Sequence, residues 1–155
     1  MAEEAFTEND ERLMRRALEL AAGVSEHGDV PIGAVVARGE EVLGAAGNER
    51  ERRRDPTAHA EILALREASE RLGGWRLLDT TIYVTLEPCP MCAGAIYLAR
   101  VPRLVFGAPD PKGGAAGGVI DLYSEPVVNH RPAVEEGLLG DQAAALLESF
   151  FAAKR

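Results

Sequence analysis

The chain contains few cysteines, few aromatic residues and no long apolar run. Only two of its 155 residues are cysteine and 5% are aromatic. Two cysteines cannot build the multi-bridge framework of a small secreted disulfide protein. No apolar stretch approaches the ~20 residues that a membrane-spanning helix needs. The remaining composition, with 46% hydrophobic and 27% charged residues, is typical of a globular protein. We therefore expect one domain over residues 1–155.

Acidic residues outnumber basic residues, and the two are distributed unevenly along the chain. The formal net charge is −8, which argues against general affinity for nucleic acid. Residues 1–30 hold eight acidic residues and three arginines, whereas residues 91–120 hold three basic residues and a single acid. Residues 1–5 are acidic and lack the positively charged start of a signal peptide. These features predict a cytoplasmic protein without membrane association, and they leave room for a local RNA-binding surface.

The hydrophobic pattern predicts strands that alternate with helices. Apolar residues three or four apart indicate helices, and β-branched runs bounded by turn residues indicate strands. Thr7 and Asp10 form a variant of the capping box at the start of the first helix. The predicted helices are 8–27, 58–72, 90–100 and 140–153, and the predicted strands are 31–37, 41–46, 81–86 and 103–107, with a charged loop at 47–56. This order is typical of an α/β layered sandwich.

Two short motifs carry the chemistry: His59-Ala60-Glu61 and Pro88-Cys89-Pro90-Met91-Cys92. One imidazole and two thiols can supply three ligands to a zinc ion and leave the fourth tetrahedral position open, as in catalytic sites. Glu61 is not needed as a ligand. A carboxylate beside a metal-activated water is suited to moving protons. The motifs therefore predict a catalytic metal site.

One geometric condition follows from the spacing of these residues. Cys89 and Cys92 are three residues apart, so they share one face of a helix, and Pro90 is tolerated in its first turn. A helix N-terminus also favours thiolate over thiol. His59 and Glu61, two residues apart, would point to roughly opposite sides of a continuous helix. We therefore predict that both motifs lie at the starts of their helices.

Each half-motif has a simpler interpretation when it is taken alone. A Cys-x-x-Cys pair can be a redox pair or half of a structural zinc site, and His-x-Glu is common in unrelated proteins. In this order, and with a strand leading into the cysteines, the two halves match the signature of zinc-dependent nucleobase deaminases.

On these residues the chain resembles the cytidine deaminase-like superfamily and, within it, the bacterial tRNA-specific adenosine deaminases. The likeness extends from about residue 8 to the last predicted helix. Guanine and cytosine deaminases share the zinc signature, but the 106–117 segment is typical of the tRNA enzymes. The matching segments are residues 30–35, 48, 55–61, 85–95, 105–108, 110, 112, 114–117 and 129–131.

The resemblance implies a three-layer α/β/α sandwich with a mixed five-stranded sheet, one Zn²⁺ per chain and a homodimer. It implies that adenosine becomes inosine at the wobble position of tRNA(Arg), bound through its anticodon stem-loop. There are two alternatives. One is an enzyme that deaminates free guanine or cytosine, and the other is a zinc-stabilised binding protein without activity. The implied roles are zinc ligation by His59, Cys89 and Cys92, proton transfer by Glu61, and substrate contact by Asn48, Val30, Ala60, Asp110 and Lys112.

Two further features of the sequence have no assigned role. The arginines between Arg50 and Arg54 could contact phosphate, but acidic neighbours make a solvated loop an equal alternative. His130 could contact RNA or make a structural hydrogen bond.

Overall fold

The computed structural model describes residues 6–154, so the acidic residues 1–5 used for the localisation prediction lie outside it. Two short 3-10 helices lie at Ser25–His27 and Leu122–Ser124. The helices are α1 (Glu8–Val24), α2 (Arg50–Arg53), α3 (Ala60–Leu72), α4 (Pro90–Leu98) and α5 (Gly140–Ala153), and the strands are β1 (Gly33–Arg38), β2 (Glu41–Gly47), β3 (Thr81–Leu86), β4 (Arg103–Ala108) and β5 (Ala133–Glu136).

The strands form one mixed sheet in the order β2-β1-β3-β4-β5. β1 is antiparallel to both β2 and β3, whereas β3, β4 and β5 are parallel. Alternate side chains of β1 enter different cores: Ala34 and Val36 pack with α3 and α4, and Val35 and Ala37 pack with α1 and α5. The sheet is thus the middle layer of an α/β/α sandwich, as predicted.

Two glycines allow helices to approach the sheet closely. A Cβ atom at Gly33 would overlap the carbonyl oxygen of Ala17 in α1, and one at Gly44 would overlap that of Ala64 in α3. Helix backbone and strand backbone are in contact at these points, so any larger residue would force the layers apart.

Most predicted elements are confirmed to within a few residues. The strand at 81–86 and the helix at 140–153 match exactly in their bounds, and the Thr7–Asp10 capping box is present. The loop predicted at 47–56 contains the short helix α2. Pattern alone missed β5. Within residues 6–154, no helix is long and apolar enough to cross a membrane.

The parallel pair β3–β4 determines where the motifs meet. β3 ends at Leu86, three residues before Cys89, and β4 ends at Ala108, five residues before the glycine-rich segment 113–118. The carboxyl ends of parallel strands share one edge of a sheet, which is where α/β proteins place their sites. We call residues 109–121, between β4 and the second 3-10 helix, the 109–121 loop.

Candidate active site

His59, Cys89 and Cys92 come together at this edge. His59 Nδ1 lies 3.7 Å from the Cys89 sulfur and 3.4 Å from the Cys92 sulfur. The three candidate ligand atoms all lie within 4.8 Å of one another, and neither cysteine is in a disulfide. Residues from two helices separated by 30 positions therefore form a cluster that could hold a metal ion.

The predicted position of both motifs at helix starts is confirmed. His59 is the N-cap of α3 and has an extended backbone, with φ −74° and ψ 152°. Cys89 is the N-cap of α4, Pro90 is its first helical residue, and Cys92 follows within the first turn. The candidate ligands therefore lie at two helix N-termini, where backbone N–H groups lack helical acceptors and the dipole end is positive.

The three groups change one another's proton affinity. A hydrogen bond from Cys92 lowers the pKa of Cys89 to about 4. The same bond, together with burial, raises the pKa of Cys92 well above its usual range. The hydrogen bond with Cys89 raises the pKa of His59. One sulfur is therefore a thiolate at neutral pH, which is the form that binds metals.

Glu61 is buried beside this cluster. It lies in the first turn of α3 and is 4% exposed. Burial raises its pKa to about 7. Glu61 belongs to none of the ion pairs formed by the described residues. A buried carboxyl group that belongs to no ion pair is unusual outside functional sites.

Asn48, Val30 and Ala60 lie on the β2–α3 side of the cluster. Asn48 is 2% exposed, and its Nδ2 donates to the Val30 carbonyl oxygen at 3.3 Å. The next residue, Glu49, donates its N–H to the carbonyl oxygen of Ala58 at 2.9 Å, which holds this segment against the start of α3. Ala60 is buried at the first position of α3, where a backbone N–H has no helical acceptor.

The Asn48 side chain has one unused acceptor. Its Oδ1 is the single buried side-chain nitrogen or oxygen in residues 6–154 that lacks a hydrogen-bond partner. Leaving such an atom unsatisfied costs free energy, so its presence in a native fold calls for an explanation such as a ligand.

Asp110 and Lys112 lie in the 109–121 loop. Asp110 Oδ1 accepts hydrogen bonds from the N–H groups of Lys112 and Gly113, at 3.0 and 3.2 Å. Asp110 therefore first shapes its own loop, as aspartates do in Asx turns. Lys112 is exposed.

The two features without an assigned role make structural contacts. His130 Nε2–H donates to the Val101 carbonyl oxygen at 2.8 Å. The turn that contains α2 is held by buried Asp29, which accepts from the N–H groups of Glu51 and Arg52 at 2.8 and 3.3 Å. Neither feature requires RNA to explain it.

Sequence reasoning assigned no role to Glu87, which lies two residues before Cys89. It is 2% exposed and accepts three backbone hydrogen bonds, all from the 109–121 loop. One signal in the sequence could have found it. Glu87 directly follows a strongly β-branched strand, and an acid that is buried at such a position needs hydrogen-bond partners.

A comparison with protein-family models matches residues 8–155 to the MafB19-like deaminases. The tRNA-specific adenosine deaminase of Bacillus subtilis (strain 168) is 47% identical over 142 residues, which are 92% of this chain and 88% of the relative. The chain belongs to the tRNA-specific adenosine deaminase family. This confirms the family that the 106–117 segment predicted.

Solved structures agree with this family membership. A structure from a study of A-to-I editing by tRNA:A34 deaminases at the wobble position has a TM-score of 0.86 and 45% identity, and the match covers 88% of this chain and 99% of that one. A guanine deaminase from Nitrosomonas europaea has a TM-score of 0.78 and 28% identity over 92% of this chain and 84% of its own. The fold is shared with both, and the sequence is nearer to the tRNA deaminase.

Proposed function

We propose that this chain is a zinc-dependent hydrolase that converts adenosine to inosine at the wobble position of tRNA(Arg). It acts as a single deaminase domain over residues 1–155 and works in the cytoplasm. The observation that carries the proposal is the His59–Cys89–Cys92 cluster with the buried carboxyl group of Glu61 beside it, in a member of the tRNA-specific adenosine deaminase family.

The donor set fits zinc. Bond lengths of about 2.0–2.3 Å to nitrogen and sulfur place the donors of a tetrahedral ion roughly 3.5 Å apart. The His59 nitrogen lies 3.7 and 3.4 Å from the two sulfurs. One imidazole and two thiolates are also ligand types that suit zinc, whereas calcium and magnesium prefer oxygen ligands. Three protein ligands leave one position for water.

The reaction divides between the metal and Glu61. When bound, zinc lowers the pKa of a water molecule towards neutrality and so supplies the nucleophile for C6 of adenine. Glu61 takes the proton that this water gives up. It passes this proton to N1 of the ring, then takes the proton of the hydroxyl group formed on C6 and gives it to the amino group, which leaves as ammonia. Burial of Glu61 keeps these transfers away from bulk solvent.

The base is held by groups on the β2–α3 side of the site. The unpaired Oδ1 of Asn48 can accept a hydrogen bond from an N–H group of the base. The Val30 carbonyl oxygen fixes the Asn48 amide in this orientation. The free N–H of Ala60 offers a donor at the start of α3, and the Val30 side chain forms part of the pocket wall.

The RNA substrate must present its base outside the stack. C6 cannot be reached in a stacked nucleotide, so the wobble base has to flip into the pocket from an anticodon stem-loop. Asp110 and Lys112, on the 109–121 loop, line the path of the RNA. Lys112 is the exposed cation that can contact phosphate.

We also propose a homodimer. A groove of about 520 Å³ lies between α3 and α4, lined by apolar side chains that include Leu65 and Ala95. Trp75 and Leu98 at this groove are 52% and 57% exposed. Apolar surface of this kind favours a protein partner. Light scattering of the purified protein tests the proposal, and a mass near 16.6 kDa would contradict it.

The activity is tested with purified protein and an arginine-tRNA anticodon stem-loop, followed by sequencing for inosine. We expect inosine at the wobble position alone and about one zinc per chain. Zinc well below one per chain in carefully prepared protein would contradict the mechanism.

One observation favours a second candidate. The guanine deaminase neighbour shares the fold, and the net charge of −8 suits a small neutral substrate better than RNA. Free guanine and cytosine are therefore assayed in parallel. Rapid release of ammonia from a free base, without inosine in the stem-loop, would replace the tRNA assignment with nucleobase salvage.

A further inference from the structure

Glu87 connects the segment that carries Cys89 to the 109–121 loop. Its Oε1 accepts from the N–H of Asp110 at 3.0 Å, and its Oε2 accepts from the N–H groups of Ala116 and Gly118 at 3.0 and 2.8 Å. These three donors span nine residues of one loop, so a single buried carboxylate binds both the start of the loop and its second half.

Backbone hydrogen bonds reinforce the same connection. The Glu87 N–H donates to the Ala108 carbonyl oxygen, and the Ala115 N–H donates to the Pro88 carbonyl oxygen, each at 2.9 Å. The loop is therefore attached to residues 87 and 88, immediately before Cys89. Ala115 and Ala116 also pack in the core that contains Ala93 of α4.

The loop is shaped to admit this carboxylate. A Cβ atom at Gly114 would overlap the carboxyl group of Glu87, and one at Gly118 would lie 2.5 Å from its Oε1. Gly113, in contrast, has room, because a Cβ there would lie 3.6 Å from Asp110 Oδ2, an ordinary contact. Glycine is thus needed where the loop closes around Glu87, since any side chain would displace the acid.

We propose that Glu87 is a positioning residue for the substrate: it holds the 109–121 loop, with Asp110 and Lys112, in a fixed place relative to the metal ligands. The proposal rests on the proposed function for its substrate, an anticodon stem-loop. Glu87 itself does not take part in proton transfer. Charged acceptors bind backbone N–H groups more strongly than neutral ones, so a carboxylate holds this loop better than an amide can.

The proposal is tested first by hydrogen exchange, which needs no substrate. In Glu87→Gln one oxygen becomes an N–H₂ group that faces a backbone donor. We expect the amides of Asp110, Ala116 and Gly118 to exchange at least about tenfold faster, while core amides of β3 keep their protection. Gly113→Ala, the matched control in the same loop, should leave these three amides unchanged. Unchanged exchange in Glu87→Gln would overturn the proposal.

Steady-state kinetics on the stem-loop provide the second test. A loop that no longer holds the substrate should raise KM roughly tenfold in Glu87→Gln and change kcat less than about threefold. Zinc content should stay at one per chain. Glu40→Gln, on the exposed β1–β2 turn, controls for the lost charge and should leave both constants unchanged. A loss in kcat with KM unchanged would overturn the positioning role.

A variant on the loop side covers the case in which Glu87→Gln does not fold. Gly118→Ala displaces the same carboxylate and should raise KM in the same direction. The double variant should show no more than the larger single effect, because both changes break one connection. An unchanged KM in Gly118→Ala, or fully additive effects, would contradict the proposal. Wild-type protein that forms no inosine would instead overturn the proposed function and leave the exchange test standing.

Discussion

Asp10 and Glu61 are both buried carboxylic acids, and they lie on opposite faces of the same sheet. Asp10 accepts from Arg103 at 2.9 and 3.0 Å and from the Tyr83 hydroxyl at 2.6 Å. Burial alone would raise its pKa, but the bonds from Arg103 and Tyr83 hold the pKa well below the usual range. Glu61 forms no ion pair with an arginine or lysine within residues 6–154, and burial raises its pKa to about 7.

The environments of Asp10 and Glu61 suit different roles, one in stability and one in catalysis. The Asp10 carboxylate joins α1 to β3 and β4, and its charge is compensated, so it stabilises the fold. The Glu61 carboxyl group is kept in an unfavourable environment, which costs stability and leaves it able to bind and release a proton near neutral pH. Substitutions that remove each group should therefore affect different properties, and the following experiments test this contrast.

The largest effect is expected from loss of a metal ligand. Cys92→Ser should reduce bound zinc to a small fraction per chain and lower deamination by more than about 10³-fold, because water would no longer be activated. Zinc content by atomic emission and inosine formation check this. Met91→Leu, between the two cysteines, is the matched control and should keep its zinc. Full zinc content in Cys92→Ser would remove Cys92 from the ligand set.

Glu61→Gln separates activity from stability. We expect kcat to fall by ~10²-fold or more, the usual contribution of a positioned acid–base group. The midpoint of thermal unfolding should stay the same or rise, because the variant no longer buries an uncompensated carboxyl group. Inosine assays and calorimetry on the same sample measure both. Intact turnover would show that Glu61 does not move the protons.

Asp10→Asn should behave in the opposite way. Loss of the carboxylate leaves Arg103 without its buried partner, and we expect the free energy of unfolding to fall by about 2–4 kcal/mol. Well below the unfolding midpoint, kcat and KM should match the wild type. Denaturant unfolding and the inosine assay check the two halves. A large loss of activity in a folded Asp10→Asn protein would break the contrast between the two faces.

The contribution of Asp10 should also depend on pH. Its pKa in the folded protein lies below the ordinary value of 3.8, so its ionised form stabilises the fold fully above about pH 4. This stabilisation is lost as the pH falls through the folded-state pKa. The gap in unfolding midpoint between wild type and Asp10→Asn should therefore shrink below pH 4. A gap that stays constant from pH 6 to pH 2 would exclude the ion pair as its cause.

Glu135→Gln is expected to have the smallest effect. Glu135 binds the same Arg103 at 2.5 Å, but its side chain is 35% exposed, against 4% for Asp10. Solvent screens a pair of this kind, so we expect a loss below about 1 kcal/mol. Chemical denaturation of the single variants and the double variant with Asp10→Asn would measure it. A loss as large as that of Asp10→Asn would show that burial does not separate the two partners.

Local pattern predicted most of the fold. β3 is a run of β-branched and aromatic residues, and the motif helices begin where spacing required, at His59 and Cys89. β5 escaped pattern reasoning because it is four residues long, contains Glu135 and Glu136, and is largely exposed. Its strand conformation comes from backbone pairing with β4, which no side-chain pattern records.

The sequence by itself determined the family, the order of helices and strands, and the candidate ligands, because these depend on residue type and spacing. Only the tertiary structure decided what each buried acid does. Residue type alone does not distinguish the carboxyl groups of Asp10, Glu61 and Glu87. In the fold the first meets a guanidinium group, the second forms no ion pair within residues 6–154, and the third meets three backbone N–H groups. The proton affinity and the role of a carboxyl group depend on such neighbours. These neighbours come from distant segments of the chain and surround the carboxyl group only after folding.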